Sequence, residues 1–185
     1  QWSNINYSDE AARANLAVVQ PGADGTLCTF TQTTTHLLID VLAELTPDGL
    51  GIVPRTPHRV LDTRTCDTGE CPRVLRGGVL QRVPIAVGAA AALTNITVIG
   101  ATDDTFVTLA ECSTFEVADD GTVAVPTTSS VNVDAGTTVA NLAMTTLDAD
   151  GVACLWSPVD VTVVIDVQAE LSAAAEHGFA LVDPI

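Results

Sequence analysis

Residues 14–46 (ANLAVVQPGADGTLCTFTQTTTHLLIDVLAELT) return at residues 140–172 (ANLAMTTLDADGVACLWSPVDVTVVIDVQAELS), displaced by 126 positions without a gap. The match reaches back to Ser3-Asn4-Ile5-Asn6 against Ser129-Ser130-Val131-Asn132, and 16 of the 46 positions in residues 1–46 are identical to their counterparts. Chance would supply roughly one identity in fifteen, so the chain contains a repeat, and its fold must be assembled from a unit used more than once. Beyond the aligned block the likeness continues with a one-residue slip, Gly51-Ile52-Val53 up to Pro57 matching Gly178-Phe179-Ala180 up to Pro184.

The layout is therefore half, half, half. Residues 1–58 and 127–185 are two copies of one half, here called the leading and trailing closing halves. Residues 59–126 are the opening half, and 59–185 make one full module. A spare closing half is odd in a free-standing domain. It is expected in a piece of a longer tandem array, or in a subunit completed by a neighbour.

The local pattern is all-β. Valine, leucine, isoleucine and threonine alternate in short runs, and only 4% of residues are aromatic while 47% are hydrophobic. Branched residues of this kind suit a pleated, half-buried surface. Strands are expected near 59–63, 79–87, 93–99, 105–111, 130–133, 138–146, 151–156 and 161–171, and in the leading half at the trailing positions minus 126. Asp24-Gly25 and Asp150-Gly151 sit between apolar runs in both copies, where glycine supplies the positive φ of a tight hairpin turn. About eight strands per module predict an antiparallel β-sandwich with an extra half-module. A weaker echo at an offset of 46, Asn95-Ile96 against Asn141-Leu142, leaves a β-trefoil-like arrangement open.

Charge narrows the partners. There are 23 acidic residues against 7 basic ones, a net charge of −16, and every cation is an arginine. Such a surface repels phosphate backbones and anionic membranes, so nucleic acid is not expected as a partner. The uncharged stretch 83–101 holds Pro84, Gly88 and several threonines, and reads as strand, loop and strand rather than as a membrane span. No calcium-loop or zinc-site pattern occurs, so no metal or cofactor is expected.

Five cysteines point to an oxidising, extracytoplasmic location, with the chain from Gln1 read as a mature, secreted form. Cys66 and Cys71 enclose a short polar loop and are expected to pair. Cys112 has two candidate partners, Cys154 and its repeat equivalent Cys28, which leaves one thiol free or linked to another chain. A Cys112–Cys154 bond with Cys28 unpaired is the simpler arrangement, and a swapped Cys28–Cys112 bond satisfies the same arithmetic.

Asp40 and Asp166 each stand in an apolar Ile-Asp-Val run, where an unpaired carboxylate is costly. The Arg59–Arg64 segment is the natural source of a counter-ion, and Arg64 of Leu-Asp-Thr-Arg is expected to hold Asp166 in a bidentate pair. Asp40 then needs an arginine from elsewhere. His36 shares a strand face with Asp40, as a base and its orienting carboxylate would. Its repeat counterpart, however, is Thr162, and no nucleophile motif accompanies any histidine (His36, His58, His177), so no catalytic residue is assigned. Asn6, Asn15, Asn132 and Asn141 recur and are expected to satisfy neighbouring backbone groups. Asn6-Tyr7-Ser8 and Asn95-Ile96-Thr97 match the glycosylation acceptor pattern.

The segments PHRVLDTR, ALTNITVIGATDDTFVTLAEC, SSVNVDAGTTVANLAMTTLDADGVACLW and VTVVIDVQAEL resemble a secreted tandem β-repeat family of high-GC Gram-positive, actinobacterial-type bacteria. That family carries LLDTR-like, NVTVT, SN-N-GxxxANL and IVDV segments. The resemblance covers nearly all of 52–171 and again 3–45, and departs at Glu170-Leu171, where the family tends to have Gly-Tyr. It implies an extracellular β module, often in tandem, with no established chemistry. The expected function is a non-enzymatic structural one: a subunit or segment of a filament, sheath, surface layer or adhesin stalk. Such a protein would self-associate with identical or homologous chains through strand or half-module exchange. The alternative is a module of a larger secreted protein that binds glycan or cell wall.

Overall fold

The computed structural model describes residues 3–7, 12–46, 49–65, 73–173 and 178–181. Among the described residues ten strands form: β1 (Ala43–Thr46), β2 (Leu50–Asp62), β3 (Gln81–Pro84), β4 (Ala91–Ile99), β5 (Thr105–Ala110), β6 (Val131–Val133), β7 (Thr138–Thr146), β8 (Val152–Trp156), β9 (Thr162–Ser172) and β10 (Gly178–Leu181). All pairings between them are antiparallel. One sheet has the order β1-β10-β2-β9-β4-β7 and the other β3-β8-β5-β6. The eight strands expected for the module are all present, and β2 begins earlier than expected, running through the 58/59 boundary between the halves. The sheets are open and layered, so the β-trefoil alternative, which needs a closed barrel, is set aside.

Alternation places the core. On β4, Ile96 and Val98 point inward while Asn95, Thr97 and Ile99 are only half-buried. On β9, Val163, Ile165 and Val167 are fully buried. These meet Val83, Val107, Leu109, Val131, Val133, Ala153 and Leu155 of the smaller sheet in one contiguous cluster. β8 is buried on both faces. Its Ala153 and Leu155 face the main core, while Cys154 and Trp156 pack outward with Phe115 and Val123. That is why Val-Ala-Cys-Leu-Trp carries no polar residue. A 3-10 turn (Cys112–Thr114) caps this outer cluster and brings Cys112 onto Cys154, with Cα atoms 4.8 Å apart and a disulfide between them.

The ladder of β2 and β9 is interrupted between Pro54 and His58 and between Arg59 and Leu61. Pro54 and Pro57 have no N–H to donate, which accounts for the first break.

The leading half does not follow its twin. Residues 138–146, 152–156 and 162–172 are strands, yet their counterparts in 12–42 form none, and only β1 pairs. A strand is stable only against a neighbour, and the trailing half has the opening half to lie on. Local structure survives without that neighbour. Gly25 N–H donates to Gly22 O and Gly22 N–H to Thr26 O, as Gly151 N–H does to Asp148 O and Asp148 N–H to Val152 O. Gly25 and Gly151 have φ of 79° and 76°. These bonds describe a type I turn closed by a bulged left-handed glycine.

One pairing of the leading half also repeats. β9 meets β2 with Ser172 opposite Gly51, Leu171 opposite Ile52, Glu170 opposite Val53 and Ala169 opposite Pro54. β1 meets β10 with Thr46 opposite Gly178, Leu45 opposite Phe179, Glu44 opposite Ala180 and Ala43 opposite Leu181. Under the repeat these two registers are the same. β10 stands to β1 as β2 stands to β9, and Gly178 lies against Gly51 where the two pairs adjoin.

Candidate functional site

The sequence singled out a carboxylate in an apolar strand, and the structure surrounds it with a four-residue chain of charges. Arg59 lies directly opposite Asp166 in the β2–β9 ladder. Its Nε donates to Asp166 Oδ1 at 2.9 Å and its Nη2 to Oδ2 at 3.1 Å, while Nη1 reaches Asp62 Oδ2 at 2.9 Å. The expected Asp166–Arg64 pair is therefore corrected: the bidentate partner is Arg59. Arg64 follows the end of β2 and turns back on Asp62, donating from Nε at 2.9 Å and from Nη2 at 2.7 Å. Strand register favours this pairing, because Arg59 lies directly opposite Asp166 and meets it with its planar fork.

The Leu-Asp-Thr-Arg segment is thus a structural clamp. Leu61 enters the core, and Asp62 receives both arginines. Thr63 is fully buried; its hydroxyl accepts from Val163 N–H at 2.9 Å and donates to Val163 O. Arg59 belongs to the Arg59–Arg64 segment expected to supply the counter-ion, whereas the parts played by Asp62 and Thr63 were not expected from the sequence. The closing of LDTR on a β-branched strand was the available signal.

Arg64, hydrogen-bonded to Asp62, holds that carboxyl well below its ordinary value of 3.8 against the opposing effect of burial. A depressed carboxyl stabilises the fold above its unfolded-state pKa, and that contribution is lost as pH falls through the lower, folded value. Asp62→Asn should therefore cost stability at pH 7, and the difference from the parent should shrink steadily below pH ~4. Urea unfolding at pH 7 and near pH 2 measures this; a difference independent of pH would remove the ionic role.

Further ion pairs reach the trailing half: Arg55, at the end of the leading half, to Glu170 at 2.6 Å, and Arg76 and Arg82 of the opening half to Asp160 at 2.7 Å and Asp148 at 3.1 Å. Exposed pairs of this kind contribute little each, and in all three the arginine comes from residues 50–126 and the carboxylate from the trailing half. Arg13 of the leading half donates to Asp134.

The remaining sequence candidates fall as follows. Cys112 bonds Cys154, and Cys28 is a free, exposed thiol. Cys66, Cys71 and His177 lie outside the described residues. Asp40 is exposed, and among the described residues it forms no ion pair. His36 is exposed too, and no hydrogen bond links the two. Asn15 Nδ2 donates to Asn4 O at 2.7 Å and Asn141 Nδ2 to Ser130 O at 2.8 Å, the same bond in both copies and the backbone role expected of them. No group of three or more potential metal ligands occurs among the described residues.

The feature that sets the leading half apart is the exposure of the apolar residues within 18–41. Leu37 is 51% exposed and Ile39 58%, whereas Val163 and Ile165 at the same repeat positions are at 0%. Phe30 is 84% exposed and its twin Trp156 2%. Val18, Val19, Leu27, Leu38 and Val41 are exposed as well. Apolar residues that one copy of the repeat buries and the other leaves in water gain free energy from being covered.

The chain is thus an all-β, sandwich-like protein with an internal disulfide, of the sort that forms in oxidising surroundings. Among the described residues no helix is long and apolar enough to cross a membrane. Its sequence matches no family model and no curated protein, and its fold matches no solved structure.

Proposed function

We propose that this chain is a non-enzymatic extracellular structural protein, a subunit or segment of a filament, sheath, surface layer or adhesin stalk that assembles through β modules. The observation that carries the reading is the leading half: a segment with the sequence of a core layer, exposing the residues that its twin buries. Apolar surface left in water favours association at about 25 cal/mol per Å² covered. The free Cys28 and the open edge of β1 lie in the same half. The resemblance to a secreted tandem-repeat family agrees with this reading, and the disulfide agrees with a secreted location.

Light scattering coupled to size exclusion, run under non-reducing conditions over a range of concentrations, tests it. Concentration-dependent multimers are expected, with Leu37→Asp and Ile39→Asp together shifting them towards monomer. A monodisperse monomer at high concentration would overturn the reading.

A further inference from the structure

Within residues 1–185 there are two closing halves and one opening half, and the opening half is already occupied by the trailing closing half. Exchange between identical copies of these residues would only change which closing half stays bare. The leading half therefore needs a partner that brings an opening half of its own.

The trailing half shows what such a partner looks like. β4 lies along β9 with Thr94 opposite Val167, Asn95 opposite Asp166, Ile96 opposite Ile165 and Val98 opposite Val163. The leading half presents the corresponding edge at β1, the counterpart of residues 169–172 of β9. Among the described residues β1 has β10 on one side and no strand on the other, and β10 occupies the position that β2 occupies beside β9. β10 thus holds, in the repeat's own register, the place beside β1 that the β2-type strand of an added half would take. Charge agrees: Asp40 and Glu44 are the counterparts of Asp166 and Glu170, which Arg59 and Arg55 hold in the module. The partner that fits is apolar on its inner face and carries arginines, as residues 50–126 do.

We infer that residues 12–46 are the acceptor for an opening half-module built like residues 50–126 and not engaged by its own closing half. Its β4-type strand adds antiparallel to the free edge of 36–45, placing its Asn95 position opposite Asp40 and its Ile96 position opposite Ile39. Its Cys112 position then faces Cys28. The two thiols join as the disulfide forms, and their two electrons and two protons pass to a disulfide oxidant such as oxidised glutathione, which leaves as two thiols. This inference rests on the assembly reading and names its partner: a stretch of the same repeat, not a second copy of residues 1–185.

The test is a chain carrying a copy of residues 50–126 joined directly ahead of Gln1, a junction that reproduces the 126–127 join because residue 1 is the counterpart of residue 127. Amide hydrogen exchange and Cys28 alkylation are followed in oxidised glutathione, with residues 91–171 as the internal folding control. Exchange at 36–45 should slow by on the order of 100-fold or more relative to the parent chain. Cys28 should resist alkylation until a reductant is added. As a second readout, Gly25→Ala should lower the melting temperature of the extended chain while leaving that of the 185-residue chain unchanged. If 91–171 is protected while 36–45 and Cys28 remain as open as in the parent, the inference is wrong, whether the added half docks elsewhere or stays unfolded. Such a result leaves the assembly reading in place so long as the 185-residue chain still associates; a monomeric parent chain removes that reading as well.

Discussion

Gly151→Ala is expected to lower the melting temperature by about 10–15 °C, while the same change at its repeat twin, Gly25→Ala, moves it by less than about 2 °C. Both glycines close the same turn at φ values of 76° and 79°, so both substitutions meet a left-handed penalty of about 1–2 kcal/mol. They differ in what surrounds them. A Cβ on Gly151 would stand 2.2 Å from Ala86 O and 2.8 Å from Val87 Cα, backbone atoms that cannot swing aside. Ile85 and Ala86 also donate their N–H groups to Gly151 O, at 2.9 and 3.1 Å, so moving the turn breaks the contact between β3 and the β7–β8 turn. The crowding adds about 1–3 kcal/mol. A Cβ on Gly25 meets nothing within 4 Å, and its turn belongs to no packed layer. Thermal denaturation of the two variants side by side decides the matter. Equal shifts would mean that the leading half is packed as its twin is.

The second large effect is the loss of the Cys112–Cys154 bond. It closes a loop spanning 42 residues, for which chain entropy gives a stabilisation of about 4 kcal/mol. Against a total of about 5–15 kcal/mol for a domain, that is a large share. Cys112→Ala with Cys154→Ala should lower the urea midpoint accordingly, and the parent treated with reductant should fall to the same value. Cys28→Ser, at an exposed free thiol, should leave the midpoint alone. A loss below about 1 kcal/mol on removing the bond would mean that the unfolded chain is already restricted in this region.

The eight strands of the module were legible because their patterns match their burial. Runs such as Leu93–Ile99 alternate, and runs such as Val152–Trp156 are apolar on both faces and bounded by turn residues. The leading half meets the same local conditions and yet forms no strands over 12–42. Periodicity states which face a strand would bury, not whether anything lies there to bury it against. What is local came through: the Asp-Gly turns and the Asn15 and Asn141 bonds repeat in both copies because their partners are close along the chain. What depends on register did not. Arg64 is nearer the motif that draws the eye, but Arg59 is the residue opposite Asp166. The choice between Cys28 and Cys154 likewise depended on Ala110 pairing with Cys154, which places Cys112 beside it.

The pairing of Gly51 with Ser172 has a mechanical consequence. The polypeptide enters the module at one end of β2 and leaves it at the adjoining end of β9, so the two leads emerge side by side. In a tethered array each module would hang from the line of tension instead of lying in it. A pull on the leads would load first the β1–β10 ladder from Ala43 and Leu181 and then the β2–β9 ladder from Gly51 and Ser172, one rung at a time, a peeling geometry that yields at lower force than sliding all rungs together. The Arg55–Glu170 and Arg59–Asp166 contacts would be met in turn as the zipper opened. Extension would stop short of full length, since the covalent bridge from Cys112 to Cys154 keeps the intervening loop out of the pulled contour. A surface layer or stalk made this way would give under load and recoil, its slack stored in modules that unzip and close again.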